Sequence, residues 1–206
     1  MKNIVAFSLI TVLATASATA EQDPSYNFIE AGFAKENLNL GDGFDIKLDG
    51  IKIRGNVEIN DNFYFNGGYQ SVANEYKKNI GYGDIDFSKL NLGIGYKVSI
   101  APGTSFFTHL DYLDWEFKRK SSVNSLTVSD DGYQLGAGIR YMVTSSAEVY
   151  GEIAHIDFDG EVITDLTVGT RVLFDNNFGG YIEYHRNDNS SYFQNDGYSL
   201  GVSYQF

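Results

Sequence analysis

The last nine residues of the chain, YSLGVSYQF at positions 198–206, alternate strictly between large apolar side chains and small or polar ones. One face carries an apolar or aromatic residue at every second position, up to the terminal Phe206. A period of two is typical of a β-strand that is apolar on one side only. The same alternation recurs over residues 51–59, 89–98 and 133–141. The chain is therefore predicted to be all-β.

Ten segments of this kind are predicted along the chain. They are residues 26–35, 50–60, 62–73, 87–98, 104–117, 131–142, 146–158, 162–174, 178–188 and 197–206. Tight turns at 60–62, 100–103, 144–146 and 175–177 alternate with links at 36–49, 74–86, 118–130, 159–161 and 189–196. Short turns on one side and mostly longer links on the other indicate a closed antiparallel transmembrane β-barrel of about ten strands, with eight strands as the alternative.

The polar face distinguishes a membrane barrel from a soluble one, because both have the same period. A soluble barrel would have a Lys- and Glu-rich outer face, whereas this face mixes Gly, Ser, Asn and Gln with few charges, as a narrow interior requires. The apolar faces carry aromatic residues near their ends, such as Tyr133 with Tyr141 and Tyr198 with Phe206. This placement matches the aromatic girdles of a transmembrane barrel, so the apolar faces are predicted to contact lipid.

Residues 1–20 have the features of a secretory signal peptide. Lys2 supplies a positive charge, residues 4–14 are apolar, and the small residues at 18–20 fit a cleavage site. The apolar stretch is shorter than the roughly 20 residues that a membrane-spanning helix needs. The predicted mature protein, residues 21–206, is a single barrel domain. Its formal charge changes from −12 to −13, because cleavage removes Lys2 and no acid.

Composition excludes several other classes of protein. The chain has no Cys, which excludes a disulfide scaffold and a Cys-ligated metal site. Its 27 Asp and Glu residues outnumber 15 Lys and Arg residues, and this balance argues against binding to nucleic acid, whose phosphates require basic stripes. No cofactor is expected.

Both ends of the chain resemble a known family. The terminal strand that ends in Phe206 resembles the C-terminal strand of bacterial outer-membrane barrels, and residues 26–33 and 49–69 resemble small porin-like barrels. The nearest likeness is to a group of small barrels that are regulated by a diffusible signal. The resemblance implies the outer membrane of the cell envelope, contact with lipid and lipopolysaccharide, and recognition of Phe206 as an assembly signal by the barrel assembly machinery. It implies no shared active site.

Charged residues also fall on the predicted inward faces. They are Lys52, Arg54, Glu58, Arg140, Glu152, Arg171 and Glu183. Charges inside a narrow barrel have to be compensated, so a paired structural network is predicted. A cation- or anion-selective lumen is the alternative, although ten strands are nearer to the filled size of barrel than to the 16 or more strands of open porins.

The histidines His109, His155 and His185 are the candidates for catalysis. Asp157 follows His155 by two positions, so both side chains fall on one face near the rim, but the predicted register turns His155 toward lipid. The two serines at 190–191 after His185 lack a nucleophile turn such as G-x-S-x-G. No catalytic, cofactor-binding or metal-ligating residue is therefore assigned.

Acidic residues gather at the predicted longer links. They are Asp42, Asp45, Asp84, Asp86, Asp157, Asp159 and Glu161. None follows the EF-hand pattern, so the simpler interpretation is a solvated surface. The alternative is that divalent cations bridge these carboxylates to lipopolysaccharide phosphates. The basic run Lys118-Arg119-Lys120 offers direct contacts to the same phosphates.

The predicted function follows from the barrel and from the lack of an assigned active site. We expect an integral outer-membrane barrel with a structural or surface-interaction role and no enzymatic activity. A narrow passive channel for small solutes or ions is the first alternative, and an enzyme at the barrel rim is the second. A water-filled path through the lumen would distinguish the channel.

Overall fold

The computed structural model describes residues 22–39, 45–74, 84–120, 124–158, 161–174, 177–188 and 194–206. The strands are β1 (Phe28–Asn39), β2 (Asp45–Glu58), β3 (Phe63–Asn74), β4 (Asp84–Ala101), β5 (Thr104–Lys120), β6 (Ser125–Thr144), β7 (Ala147–Phe158), β8 (Glu161–Leu173), β9 (Phe178–Asp188) and β10 (Gln194–Gln205). Each strand pairs antiparallel with its neighbours in the chain, and β1 pairs with β10. The predicted closed ten-stranded barrel is confirmed. The predicted signal peptide lies outside the described residues.

Closure depends on the pairing of the first strand with the last. The register between β1 and β10 runs without a break from Phe28 opposite Gln205 to Asn39 opposite Gln194. The amide of Phe206 extends this pairing by donating to the carbonyl of Asn27 at 3.2 Å. A closed sheet has no open edge, so its backbone groups are paired within the protein, as a lipid environment requires.

The side chains alternate between the outer face and the interior. On β1, Phe33 is 71% exposed, whereas Glu30 on the opposite face is 1% exposed. Leu92 on β4 and Leu135 on β6 are likewise exposed, while the neighbouring Asn91 and Gln134 line the interior. Among the described residues, no helix is long and apolar enough to cross a membrane. The outer face is therefore apolar and the interior is mostly polar at mid-height, as the alternation predicted.

Exposed aromatic residues form a girdle near each end of the apolar band. We call the end that carries the tight turns and Phe206 the turn end, and the opposite end the loop end. The girdle at the loop end consists of Tyr69, Tyr112, Tyr133, Tyr184 and Tyr198, and the girdle at the turn end of Phe63, Tyr96, Phe106, Phe178, Tyr204 and Phe206. Such girdles mark the two membrane interfaces of a transmembrane barrel.

The predicted strand ends were wrong at the loop end. Residues 118–120 belong to β5 and residues 84–86 to β4, although both were predicted to lie in links, and the links at 36–49 and 189–196 are shortened in the same way. The error has a physical reason. Beyond the tyrosine girdle the outer face no longer has to be apolar, so the alternation fades while backbone pairing continues, as between Asp84 and Lys120.

Candidate functional site in the barrel interior

A layer of buried ion pairs crosses the interior in the half nearer the turn end. Glu30 lies at its centre, where it accepts from Arg54 Nε at 2.6 Å and from Arg171 Nε at 2.7 Å. Glu148 accepts from Arg171 Nη1 at 3.2 Å and from Arg140 Nε and Nη2 at 2.6 and 2.8 Å. The pairing is charge-assisted, and the Arg140 pair is bidentate, which is the strongest geometry for such contacts.

Glu183 joins a lysine to the same layer. Its carboxylate accepts from Lys52 and from Arg54, and the hydroxyl of Tyr150 donates to it at 3.0 Å. Arg54 Nη2 in turn donates to the Tyr150 hydroxyl at 2.6 Å. We call this set the central network; its members are Glu30, Lys52, Arg54, Arg140, Glu148, Tyr150, Arg171 and Glu183.

The central network contains five of the seven charged residues that the sequence pointed to, namely Lys52, Arg54, Arg140, Arg171 and Glu183. The other two make separate pairs. Glu58 accepts from Lys97 Nζ at 2.6 Å, and Glu152 contacts His109 Nε2 at 2.9 Å.

The sequence analysis missed the two carboxylates that connect the arginines. Glu30 lies between Ile29 and Ala31 on β1, so the alternation used for the other strands would have placed it inside. Glu148 lies on β7 opposite Arg171 in the register. This pairing is visible only once the strand register is known.

An aromatic plug fills the interior at the turn end. It consists of Tyr26, Tyr64 and Phe107, with ring centroids of Tyr26 4.9 Å from Tyr64 and 6.3 Å from Phe107. Tyr26 precedes β1 and is 1% exposed; its amide donates to Glu58 Oε1 at 3.0 Å and its hydroxyl shares a hydrogen bond of 2.9 Å with Ser105. The Arg140 guanidinium lies over the Tyr26 ring at 4.2 Å. The plug is thus joined to the central network by a cation–π contact.

The inward histidines are each held by carboxylates. His109 Nδ1 lies 3.0 Å from Asp111 and Nε2 lies 2.9 Å from Glu152. Carboxylates only accept hydrogen bonds, so this arrangement fits the imidazolium form, which alone has two N–H donors. His185 Nε2 lies 3.0 Å from Glu36. His155 is exposed on the outer face and does not point into the interior.

The structure describes no group that would hold a metal ion. Within the described ranges, no three His, Cys, Asp or Glu side chains cluster suitably. Asp42 and Asp159, which the sequence analysis named as acidic link residues, lie outside those ranges. The divalent-cation alternative therefore stays a prediction.

Toward the loop end the interior opens into a cavity of about 530 Å³. Its lower wall is polar and includes Asn91, Asp111 and Gln134. Its upper wall is apolar and includes Phe87, Trp115, Phe117, Phe158 and Ile163. The cavity reaches down to Tyr26 and Arg140, which close it below.

A closed antiparallel barrel with an apolar outer band, two aromatic girdles and a charged interior defines the class of integral membrane barrels. A family model described as "Outer membrane protein beta-barrel domain" matches residues 5–206. The chain belongs to this family, and it is a small β-barrel of the bacterial outer membrane. The resemblance seen in the sequence is confirmed. The loop end therefore faces the cell exterior, and the turn end faces the periplasm.

Solved structures show the same fold at low sequence identity. The beta domain of the Bordetella autotransporter BrkA has a TM-score of 0.54 at 11% identity, covering 88% of this chain and 100% of that one. The translocator domain of NalP from Neisseria meningitidis has a TM-score of 0.53 at 14% identity, covering 98% and 96%. Ail of Yersinia pestis, in complex with the heparin analogue sucrose octasulfate, has a TM-score of 0.50 at 15% identity, covering 87% and 97%. No curated protein matches the sequence.

Proposed function

We propose that this protein is a non-conducting, non-enzymatic outer-membrane barrel that presents its loop end at the cell surface in a structural or interaction role. One observation supports the proposal above all. Buried, mutually contacting side chains of the central network and of the aromatic plug cross the lumen near the periplasmic end. Arg171, Glu148 and Glu183 are each 2% exposed, and Tyr64 is 2% exposed.

The energetics of the central network favour a permanent seal. A buried charge that loses its partner costs about 3–5 kcal/mol, so the paired arginines and carboxylates hold one another in place. Glu30 and Glu148 each accept from two arginines and share Arg171, so moving Arg171 would leave both carboxylates short of a partner. A path for ions through this layer would require several such pairs to break together.

The absence of an enzymatic role is supported by how the inward histidines are engaged. His109 and His185 contact carboxylates, and neither makes a hydrogen bond to a hydroxyl among the described contacts. A histidine that activates a nucleophile has to lie within hydrogen-bond reach of it. His155 faces outward, away from any enclosed space.

A surface role is supported by the part of the barrel above the outer girdle. β5 and β6 remain paired from Tyr112 opposite Tyr133 up to Lys120 opposite Ser125, beyond the tyrosine girdle. Lys118, whose Nζ also contacts Glu116 Oε1 at 2.5 Å, and Lys120 lie on this extension, where they would contact lipopolysaccharide phosphates. Lipid and lipopolysaccharide contacts, divalent cations at the acidic residues and recognition by the barrel assembly machinery all belong to this proposal.

The proposal is tested by single-channel recording in planar lipid bilayers. The purified wild-type protein should insert without discrete conductance steps. The triple variant Tyr26→Ala, Arg140→Ala and Glu148→Ala removes one ring of the plug together with one cation and its paired anion. This variant should produce discrete conductance steps. Phe178→Ala, which alters only the lipid-facing girdle, is the matched control and should remain silent. Reproducible steps from the wild-type barrel would overturn the proposal in favour of the channel.

A further inference from the structure

We infer that the upper lumen is a binding site for a small amphipathic carboxylate, whose apolar body lies in an apolar collar and whose carboxylate is held by Lys89. The collar consists of Leu38, Phe87, Trp115, Phe117, Phe158 and Ile163, all of which line the cavity. The inference rests on the proposed seal, because the aromatic plug closes the cavity toward the turn end, so that a ligand enters from the loop end.

The apolar collar is an organised wall. The Trp115 ring lies between two aromatic rings, with centroids 6.1 Å from Phe87 on β4 and 5.9 Å from Phe158 on β7. Leu38 belongs to a buried cluster with Leu48, against which Phe87 and Phe117 pack. This wall faces a cavity, and concave apolar surfaces with a few polar groups are typical of small-molecule sites.

Lys89 marks the boundary between the collar and the polar lumen. Lys89 on β4 and Trp115 on β5 are directly opposite each other in the register, and both line the cavity. The Trp115 indole nitrogen is buried and is not reached from the cavity, so Trp115 contributes its ring to the collar. Lys89 is therefore the donor that a ligand in the cavity meets.

Lys89 differs from the cations of the central network. Lys52, Arg54 and Arg171 each contact a carboxylate, whereas Lys89 makes no hydrogen bond or ion pair with any residue that the structure describes. An ammonium with no acceptor supplied by the described chain is complementary to an anionic group such as a carboxylate.

The position of Lys89 selects the kind of ligand. It lies at the bottom of the collar, one inward position below the Phe87–Phe117 pair, so the charged group enters first and the apolar body follows. A lipid anchored in the membrane would present its chain first, and this order therefore favours a free molecule from outside. Leu126 on β6 is opposite Arg119 on β5, which is four residues beyond Trp115. The wall therefore rises about 13 Å above Trp115, enough for an alkyl chain of medium length.

Five carboxylates line the same cavity, and four of them contact a histidine, lysine or arginine, namely Glu36, Asp111, Glu152 and Glu183. Asp165 on β8 lines the lumen and accepts from Thr167 Oγ1 at 2.9 Å. A ligand with a cationic head group would bind at Asp165, and a ligand with an anionic head group would bind at Lys89. Probes that differ only in their head group therefore distinguish the two positions.

Trp115 provides the experiment, because it is the only tryptophan of the chain. The full mature protein is placed in lipid nanodiscs, and brominated decanoate is titrated while tryptophan fluorescence is recorded. We expect saturable quenching by brominated decanoate, weaker binding of brominated decanol, and no saturable quenching by a brominated decyltrimethylammonium ion. Lys89→Met should weaken the binding of decanoate by at least about tenfold and leave the affinity for decanol unchanged. Lys89→Arg, which keeps the positive charge, should bind decanoate as the wild type does.

A pocket-filling variant and the channel recordings complete the test. Ile163→Phe should weaken decanoate and decanol alike, and heat-modifiable gel mobility verifies that each variant has folded. Non-saturable quenching, equal in the wild type and in Lys89→Met, would overturn the inference, and so would preference for the cationic probe. Conductance of the wild-type barrel would contradict the proposed seal, whereas the fluorescence titration tests the ligand site. The two proposals therefore fail in different experiments.

Discussion

Arg171 illustrates how charges in the barrel interior are compensated by other side chains. Its guanidinium contacts Glu30 and Glu148 and lies over the Phe28 ring at 3.9 Å from the centroid. The planar guanidinium is suited to bind carboxylates at its edge and an aromatic ring on its face at the same time. A lysine in this position would keep the charge but lose this combination of contacts.

Replacing Arg171 by Met should destabilise the barrel by about 3–5 kcal/mol, because it leaves buried carboxylates short of compensation. Reversible urea unfolding in lipid vesicles, followed by Trp115 fluorescence, measures the change. Lys35→Met is the matched control, since the Lys35–Asp49 pair is exposed and such pairs contribute about 0–1 kcal/mol. Equal losses from both variants would contradict the buried pairing.

Interior glycines make room for the large lumen side chains. A methyl group on Gly136 would overlap the His109 ring, and one on Gly169 would overlap the Tyr150 ring. Each ring therefore packs against the backbone of the neighbouring strand at its glycine. The packing explains why glycines recur on the inward faces.

Gly136→Ala should accordingly cost about 1–3 kcal/mol through overpacking against His109. Gly151→Ala is the control, because the nearest atom to its new methyl group would lie 3.8 Å away. That change should be neutral or slightly stabilising, since glycine weakens a strand. The same unfolding assay compares them, and a stable Gly136→Ala barrel would rule out close contact with His109.

At the scale of elements, each strand has a lipid-facing segment bounded by the two girdles. The Tyr112 and Tyr133 rings contact each other edge-on at 6.3 Å at the loop end, and the Phe178 and Tyr204 rings lie 4.8 Å apart at the turn end. Aromatic rings prefer the interface, so the girdles hold the barrel at a defined depth. Between them the outward positions are mostly apolar, and His155, which is opposite Leu135 in the register, is an exception.

Leu92→Arg should reduce stability by about 2–4 kcal/mol if Leu92 lies near the bilayer midplane, because an arginine there is exposed to hydrocarbon. Val162→Arg provides the control, as Val162 is exposed beside the loop end of β8. Its cost should be near 0–1 kcal/mol. Folding yield into vesicles and urea unfolding test both, and a reversed order would mean that the membrane band is misplaced.

The terminal strand carries the prediction about assembly. Phe206 is exposed and its ring stacks on Tyr204, with centroids 6.2 Å apart. Deleting only Phe206 should slow insertion in cells and expose the chain to periplasmic proteases, while the strand content after refolding in detergent hardly changes. Phe174→Ala, which removes another exposed aromatic residue near the turn end, should assemble normally.

Two measurements decide the Phe206 prediction. Heat-modifiable gel mobility reports the assembled fraction in cells, and refolding yield in detergent reports the intrinsic ability to fold. A defect in cells alone supports a signal read by the assembly machinery. Normal assembly without Phe206 would show that the terminal residue carries no such signal.

At the scale of the whole molecule, the lumen is arranged in three layers. The aromatic plug lies at the turn end, the central network lies above it, and the apolar collar surrounds the cavity toward the loop end. Each layer draws side chains from strands far apart in sequence; Arg171 and Glu30, for example, are 141 residues apart. The layers exist only because β1 pairs with β10 and closes the sheet.

The sequence alone predicted a barrel of about ten strands, the lipid-facing side of each strand and the location in the outer membrane. A period of two is a local property, and Phe33 or Leu92 has to face lipid wherever its strand lies in the sheet. The family resemblance rested on the alternation at 198–206, which ends in Phe206, together with residues 26–33 and 49–69. The strand ends were predicted wrongly where the outer face lies beyond the lipid, as at Lys118, because the apolar alternation no longer applies there.

Only the tertiary structure decided which side chains contact each other in the barrel interior. Whether Arg54 pairs with Glu183 depends on strand register and barrel closure, which bring together residues 129 positions apart. The same holds for Lys89 and Trp115, whose missing partners become visible only when every neighbour is in place. Inward alternation shows that a side chain enters the lumen, but the identity of its partner is set by contacts across the barrel, and these have no local signature in the sequence.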